Sequence, residues 1–405
     1  MTATRIVRPA TIAALVAAIL WAAAAALLWR TKVPNDLRLP ALDPQRVFGA
    51  DAVDAGVRFD RFFEAEWVVA TLVTIAVLVV ATRRGPKIVR SLGLRPVNAG
   101  IVTAVLVGVV LWVVSVPFDI ASSWWSRRHG ILQESWTTIV FSPLGGLYRS
   151  TIVTTVLFAV ILLLAQRWRR FWWIGAAGVV LALAVALQLV LPYAMRIGVH
   201  SVRSPRLAAD IRTLEQREHV GRPAVRIVPM KDKTTAANAF AVGIGPSRSV
   251  FIWDTLLDGR FSRGEVRFVL AHELGHLARW HLWKGVAWGV LFGFPLLALL
   301  AYVTGRRGGL RRPENVPLAL LTLALAGLAI MPLANAVSRR YEAEADWMAL
   351  NTTRDPASGK GLFRQFVRTD LQNPDPPGWV HVFLENHPSG LARVEQAEAW
   401  RRLHR

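Results

Sequence analysis

The chain of 405 residues contains no cysteine. That excludes disulfides and thiolate metal sites, and leaves histidine and carboxylate to hold any transition metal. Acidic residues are few, 27 against 48 basic ones, for a net charge of +21. No basic stretch is interleaved with aromatics as a nucleic-acid face requires, so nucleic acid is excluded as a partner. Lysine is scarce, six residues against forty-two arginines. The arginines sit in short segments beside apolar blocks, where they fix topology and meet anionic headgroups. There are no internal repeats and no low-complexity tail.

Apolar residues are abundant, at 53%, and are concentrated in blocks, the pattern of an integral, multi-pass protein of a cell membrane with the lipid bilayer as its partner. Seven blocks are of spanning length: 10–29, 66–82, 99–118, 150–166, 171–192, 283–304 and 315–336. Each is near the ~20 residues a tilted helix needs. The first outruns a signal-peptide apolar region and ends in Trp29-Arg30-Thr31-Lys32 without a small-residue cleavage site, so it reads as a retained anchor. Paired tryptophans, Trp124-Trp125 and Trp172-Trp173, suit interfacial belts.

This pattern predicts transmembrane helices one to five over 1–192, a first catalytic part over 193–282, helices six and seven over 283–336, and a second catalytic part with the tail over 337–405. The chain re-enters the membrane between the polar parts, so the soluble unit must be assembled from two pieces. An amphipathic helix is expected over 204–219, strands over 225–228 and 249–253, and a helix over 263–282 that runs on into block six. The expected fold is mostly α, a polytopic membrane protein of about seven transmembrane helices with a zincin-like α+β catalytic domain carrying a small β-sheet.

Chemistry concentrates in two places. His272-Glu273-Leu274-Gly275-His276 puts histidines at i and i+4 on one helical face, where both imidazoles reach one metal, with Glu273 placed beside the water. A catalytic site also needs a third ligand, which here must be His or a carboxylate. After block seven, Ser338-Arg339-Arg340-Tyr341-Glu342-Ala343-Glu344-Ala345-Asp346 places Glu342 and Asp346 at i, i+4. One can ligate the ion and the other can orient a ligating histidine. Glu344 falls on another face and has no role in this reading. His281, one turn past the motif, is expected to be structural, and His129, His200, His219, His381 and His404 lack spaced partners.

These two motifs, with Asn238-Ala239-Phe240 and the tail stretch Asn386-His387-Pro388-Ser389 and Arg393, resemble the type I CAAX prenyl protease family, and more distantly the bacterial heat-shock membrane proteases. The resemblance is dense over 193–405 and thinner before it. It implies an integral-membrane gluzincin, a zinc metalloendopeptidase with one Zn2+ per chain held by His272, His276 and Glu342. Glu273 would be the catalytic base and Asp346 the acid behind the ligands. Asn238 would hold substrate backbone near an edge strand, His387 would steady the oxyanion, and Arg393 would tie the tail to the site. The implied partner is a peptide or protein, membrane-associated or C-terminally lipidated.

Two indications disagree on the side of the membrane. Loops 83–98, 167–170 and 305–314 are rich in Arg and Lys, which assigns them to the cytoplasm and the catalytic pieces to the outside. The family's CAAX proteases work on the cytoplasmic face. The alternatives are a quality-control protease for membrane proteins and a non-hydrolytic zinc-containing sensor or scaffold. The last predicts a damaged base or ligand, and none is damaged. An intramembrane protease would carry its motif inside a span, but Arg263, Glu265 and Arg267 start this helix in water.

Overall fold

The protein is described by a computed structural model covering residues 9–404. The chain opens with α1 (Pro9–Leu28), followed by a short α2 (Pro44–Phe48) and four long helices: α3 (Ala50–Leu92), α4 (Pro96–Arg128), α5 (Trp136–Arg167) and α6 (Trp172–Ala194). The polar part that follows holds β1 (His200–Ser201), α7 (Pro205–Glu218), β2 (Ala224–Val228), β3 (Ala239–Val242), β4 (Ser249–Trp253) and α8 (Arg263–Ala278). Then α9 (His281–Gly305) and α10 (Val316–Thr353) return through the membrane, and α11 (Pro356–Thr369), α12 (Gly378–Phe383) and α13 (Gly390–Leu403) complete the chain.

Among the described residues, six helices are long and apolar enough to cross a membrane. They contain the last six predicted blocks. The first block is also helical, as α1. Two spanning helices far exceed their apolar blocks. α3 has 43 residues and α10 has 38, or about 65 and 57 Å at 1.5 Å per residue, against a hydrocarbon core of about 30 Å. Each therefore projects a polar end out of the bilayer. In α10 the span and the Glu342–Asp346 segment form one continuous rod.

The sheet has the order β1-β2-β4-β3, with β2 and β4 parallel and both outer pairs antiparallel. Central β4 is buried over Ser249–Ile252, as expected for a strand covered on both faces. Among the described residues β3 pairs with β4 alone, so its other edge is open. Local chemistry sets the helices around the sheet. Ser262 and Glu265 form a reciprocal capping box at the start of α8, with Glu265 Oε2 accepting from the Ser262 N–H at 2.7 Å. Ser204 caps α7 and Ser389 caps α13 through their hydroxyl oxygens.

The soluble core joins both polar pieces. Leu214, Val250, Phe268, Leu274, Leu350, Phe363 and Val394 belong to one buried cluster, which also takes in Phe48 and Val53 from the segment before the second block. A separate cluster around Leu162, Trp172, Leu300 and Val316 ties α5, α6, α9 and α10 together within the membrane part.

The helix expected to run unbroken from 263 into block six is instead two helices. α8 ends at Ala278, and Trp280 takes the left-handed conformation, φ +59°. That conformation costs a non-glycine residue about 1–2 kcal/mol, and no local breaker announces it. Tertiary contacts on either side hold it: Arg279 Nε donates to Glu344 at 2.7 Å, and His281 stacks on Tyr341.

α8 and α10 approach closely at Gly275, where an added Cβ would stand 3.1 Å from Met348 Cβ and 3.5 Å from the Ala345 carbonyl oxygen. Gly275→Val is therefore expected to cost about 1–3 kcal/mol by overpacking, read as a lowered unfolding midpoint in detergent. An unchanged midpoint would contradict this close approach.

Candidate metal and active site

The approach at Gly275 brings the face of α8 carrying His272, Glu273 and His276 against the face of α10 carrying Glu342 and Asp346. All but His276 are at most 8% exposed. The ring nitrogens His272 Nε2 and His276 Nε2 are 3.1 Å apart. Glu342 completes a triangle, with Oε2 3.2 Å from His272 Nε2 and Oε1 3.4 Å from His276 Nε2. A tetrahedral ion with bonds of about 2.0–2.1 Å requires ligand edges of roughly 3.3–3.4 Å, close to all three sides. Among the described residues, this is the group whose ligand atoms converge in this way. Glu342 Oε2 is also buried with no hydrogen-bond donor, an expensive state for a carboxylate oxygen unless a cation meets it. The donor set therefore fits a divalent metal.

A second layer aims His272. Its Nδ1 lies 2.8 Å from Asp346 Oδ1, and a carboxylate can only accept, so Nδ1 carries a proton and Nε2 is the nitrogen turned towards the triangle, free to ligate once the ring is neutral. Asp346 is in turn gripped by Arg393, whose Nε and Nη2 donate to its two oxygens at 2.7 Å each, while the guanidinium sits 4.2 Å over the Phe363 ring. Burial disfavours charge on His272, but the Asp346 and Glu342 carboxylates outweigh it and raise the imidazole from 6.5 to about 10. The site is thus built to be met by positive charge. Burial likewise pushes the Glu273 carboxyl up, against the pull of His272 and His276.

A cavity of about 470 Å³ opens on these residues, with β3 as one wall (Ala239, Phe240, Ala241) and Glu273 and His387 at its edge. His387 binds Asn386 Oδ1 through Nδ1 at 2.7 Å and turns Nε2 towards Glu342 Oε2 at 3.3 Å. It also lines a second cavity of about 510 Å³, shared with Asn238 and Arg393. Asn238 therefore stands at the start of the open strand rather than against the triangle, and its carbonyl accepts from the Trp253 N–H at 2.9 Å.

Two residues without a role in the sequence reading belong to this neighbourhood. His281 touches His276, and fully buried Glu344 touches His281. Spacing on an ideal helix could not reveal either contact. The break at Trp280 turns His281 back towards the motif, and Glu344 becomes inward-facing because the segment after α1, the end of α8 and the start of α9 meet that side of α10.

Known proteins resemble the chain in sequence and in fold. Residues 202–401 match Peptidase family M48. The chain is 26% identical over 306 residues to the "Uncharacterized metalloprotease YhfN" of Bacillus subtilis (strain 168), covering 72% of each. It is 23% identical over 326 residues to a "CAAX prenyl protease 1 homolog" of Oryza sativa subsp. japonica, covering 73% of this chain and 72% of that one. The crystal structure of S. mikatae Ste24p superimposes with a TM-score of 0.71 at 16% identity, over 94% of this chain and 97% of that one, a shared fold.

Arg393→Ala would leave buried Asp346 without its ion-pair partner, and should cost about 3–5 kcal/mol in unfolding free energy. Arg393→Lys should recover only part, since an ammonium lacks the two-pronged fork. Full recovery by Lys would count against the bidentate pair. Because His272 holds its proton up to about 10, a dication binding at pH 7 must displace it. Binding should release about one proton and tighten as pH rises towards that value. Calorimetry in buffers of different ionisation enthalpy reads this, and pH-independent binding without proton release would contradict it.

Proposed function

Since residues 202–401 match peptidase family M48, we propose that the chain is a membrane-embedded zinc metalloendopeptidase with one Zn2+ per chain held by His272, His276 and Glu342. The carrying observation is that two imidazole nitrogens and one carboxylate converge within 4.8 Å beside a buried glutamate and an open-edged strand. Zinc held by these three residues would lower the pKa of water at the site to about 7 and would polarise a substrate carbonyl.

The chain's own residues do the rest. The substrate lies extended along β3, adding a strand through main-chain hydrogen bonds, with Asn238 holding its backbone at one end. Glu273, next to His272 on α8, takes a proton from the attacking water and passes it to the departing amine. As negative charge develops on the carbonyl oxygen, a protonated His387, its Nδ1–H held by Asn386 Oδ1, donates to it through Nε2. Asp346 and Arg393 keep His272 in one tautomer and direction. One peptide bond and one water give one acid and one amine.

The substrate is a membrane-associated peptide or protein segment. This is supported by a further cavity of about 720 Å³ between α6 and α9, lined largely by apolar side chains. It shares His281, Leu282, Gly285 and Gly289 with the catalytic cavity, so an apolar cavity of the membrane part adjoins the site. A lipidated C-terminus and an unfolded membrane segment both suit such a neighbour. The runner-up, a zinc-binding sensor or scaffold, differs in predicting no turnover.

Glu273→Gln should retain zinc at wild-type stoichiometry and lose peptide hydrolysis by at least about 10²–10⁴-fold, the usual contribution of a general base. Glu342→Ala should lose both zinc, by elemental analysis, and hydrolysis. A purified, zinc-loaded Glu273→Gln enzyme that still cleaves peptides would defeat the assignment of the base.

A further inference from the structure

Glu344 lies on α10 two residues past Glu342, and none of its surface reaches solvent. Its oxygens accept from Arg279 Nε at 2.7 Å, from the Lys32 backbone N–H at 2.8 Å and from His281 Nε2 at 2.9 Å, with Lys284 Nζ at 3.5 Å. A carboxylate serving this many donors can only accept, so the hydrogen between it and His281 sits on Nε2. Arg279 and Lys284 already answer the Glu344 charge, so His281 sits there as a neutral ring with a bare Nδ1. That Nδ1 lies 3.0 Å from His276 Nδ1. Two facing ring nitrogens bond only when one carries hydrogen, so here His276 is the donor. The His276 lone pair is thereby left on Nε2, the atom 3.1 Å from His272 Nε2 and 3.4 Å from Glu342 Oε1.

The intermediate ring is also held in place. His281 stacks on Tyr341 with centroids 4.7 Å apart at an interplanar angle of 10°. The Tyr341 hydroxyl accepts from Trp288 Nε1 at 2.8 Å and donates to the Leu28 carbonyl at the end of α1 at 2.7 Å. The relay is thus clamped between α9, α10 and the end of the first helix.

We propose that His281 and Glu344 are positioning residues for His276, a second relay that sets its tautomer and direction as Asp346 and Arg393 do for His272. The inference rests on the reading of His272, His276 and Glu342 as zinc ligands. It differs from a purely packing role for His281 in what the substituted ring must provide, an acceptor at the position of Nδ1.

The test measures the zinc dissociation constant by chelator competition, together with the visible spectrum of the Co2+-loaded protein. His281→Phe keeps a ring against Tyr341 and removes both nitrogens, so the zinc constant should rise by about 10–100-fold with a shifted Co2+ spectrum. His281→Asn, whose amide oxygen can stand near the place of Nδ1, should recover most of the affinity, and His281→Gln clearly less. A folded His281→Phe protein with wild-type affinity and spectrum overturns the relay. If His281→Phe does not fold, equal zinc affinities for the Asn and Gln variants overturn it, and a tighter Asn variant supports it. A wild-type protein that binds no zinc overturns the metal reading itself, and this inference with it.

Discussion

The site depends on the contact between α8 and α10. The two helices are separated in sequence by an entire membrane hairpin, yet at Gly275 they pack so closely that a side chain there meets Met348 at 3.1 Å. This spacing lets the imidazoles of one helix and the carboxylate of the other form a triangle with sides of 3.1 to 3.4 Å. A core that draws on both polar pieces, with Leu274 and Leu350 in one cluster, fixes the contact from the soluble side. The continuous rod of α10 ties the same contact to the bilayer.

Electrostatics then explains why so many charges can be buried together. Glu273, Glu342, Glu344 and Asp346 are all at most 8% exposed, a combination that would be costly without compensation. Two of them are answered by fixed cations: Asp346 by Arg393, and Glu344 by Arg279 with Lys284. Glu342 has no such partner, and its Oε2 is left without a donor. The charge without a fixed cation is thus concentrated between the two motif histidines, where a dication can take the place of the proton on His272. The same balance separates Asp346 and Glu344, which have fixed cations, from Glu342, although all three sit within five residues of one helix.

Much of this was legible in the chain. The i, i+4 spacing of His272 and His276 and the charged start of their helix follow from helical geometry, as does the carboxylate pair at Glu342 and Asp346. The spacing alone could not choose between those two carboxylates, because the choice depends on how α10 is rotated against α8. The edge strand β3 is four residues long and reads Ala-Phe-Ala-Val, too short to carry a periodic signal. The bend at Trp280 has no glycine or proline to mark it, so a continuous helix was expected there and the nearness of His281 to His276 stayed hidden. The great length of α3 and α10 was also invisible, since hydropathy reports the part of a helix in lipid and is silent on its polar ends.

X-ray absorption at the zinc edge of the purified, detergent-solubilised protein tests the central claim most directly. One zinc per chain in a shell of two imidazoles with oxygen ligands is expected, with loss of the metal when residue 342 loses its carboxylate. A zinc shell indifferent to that substitution, or no bound zinc at all, would contradict it.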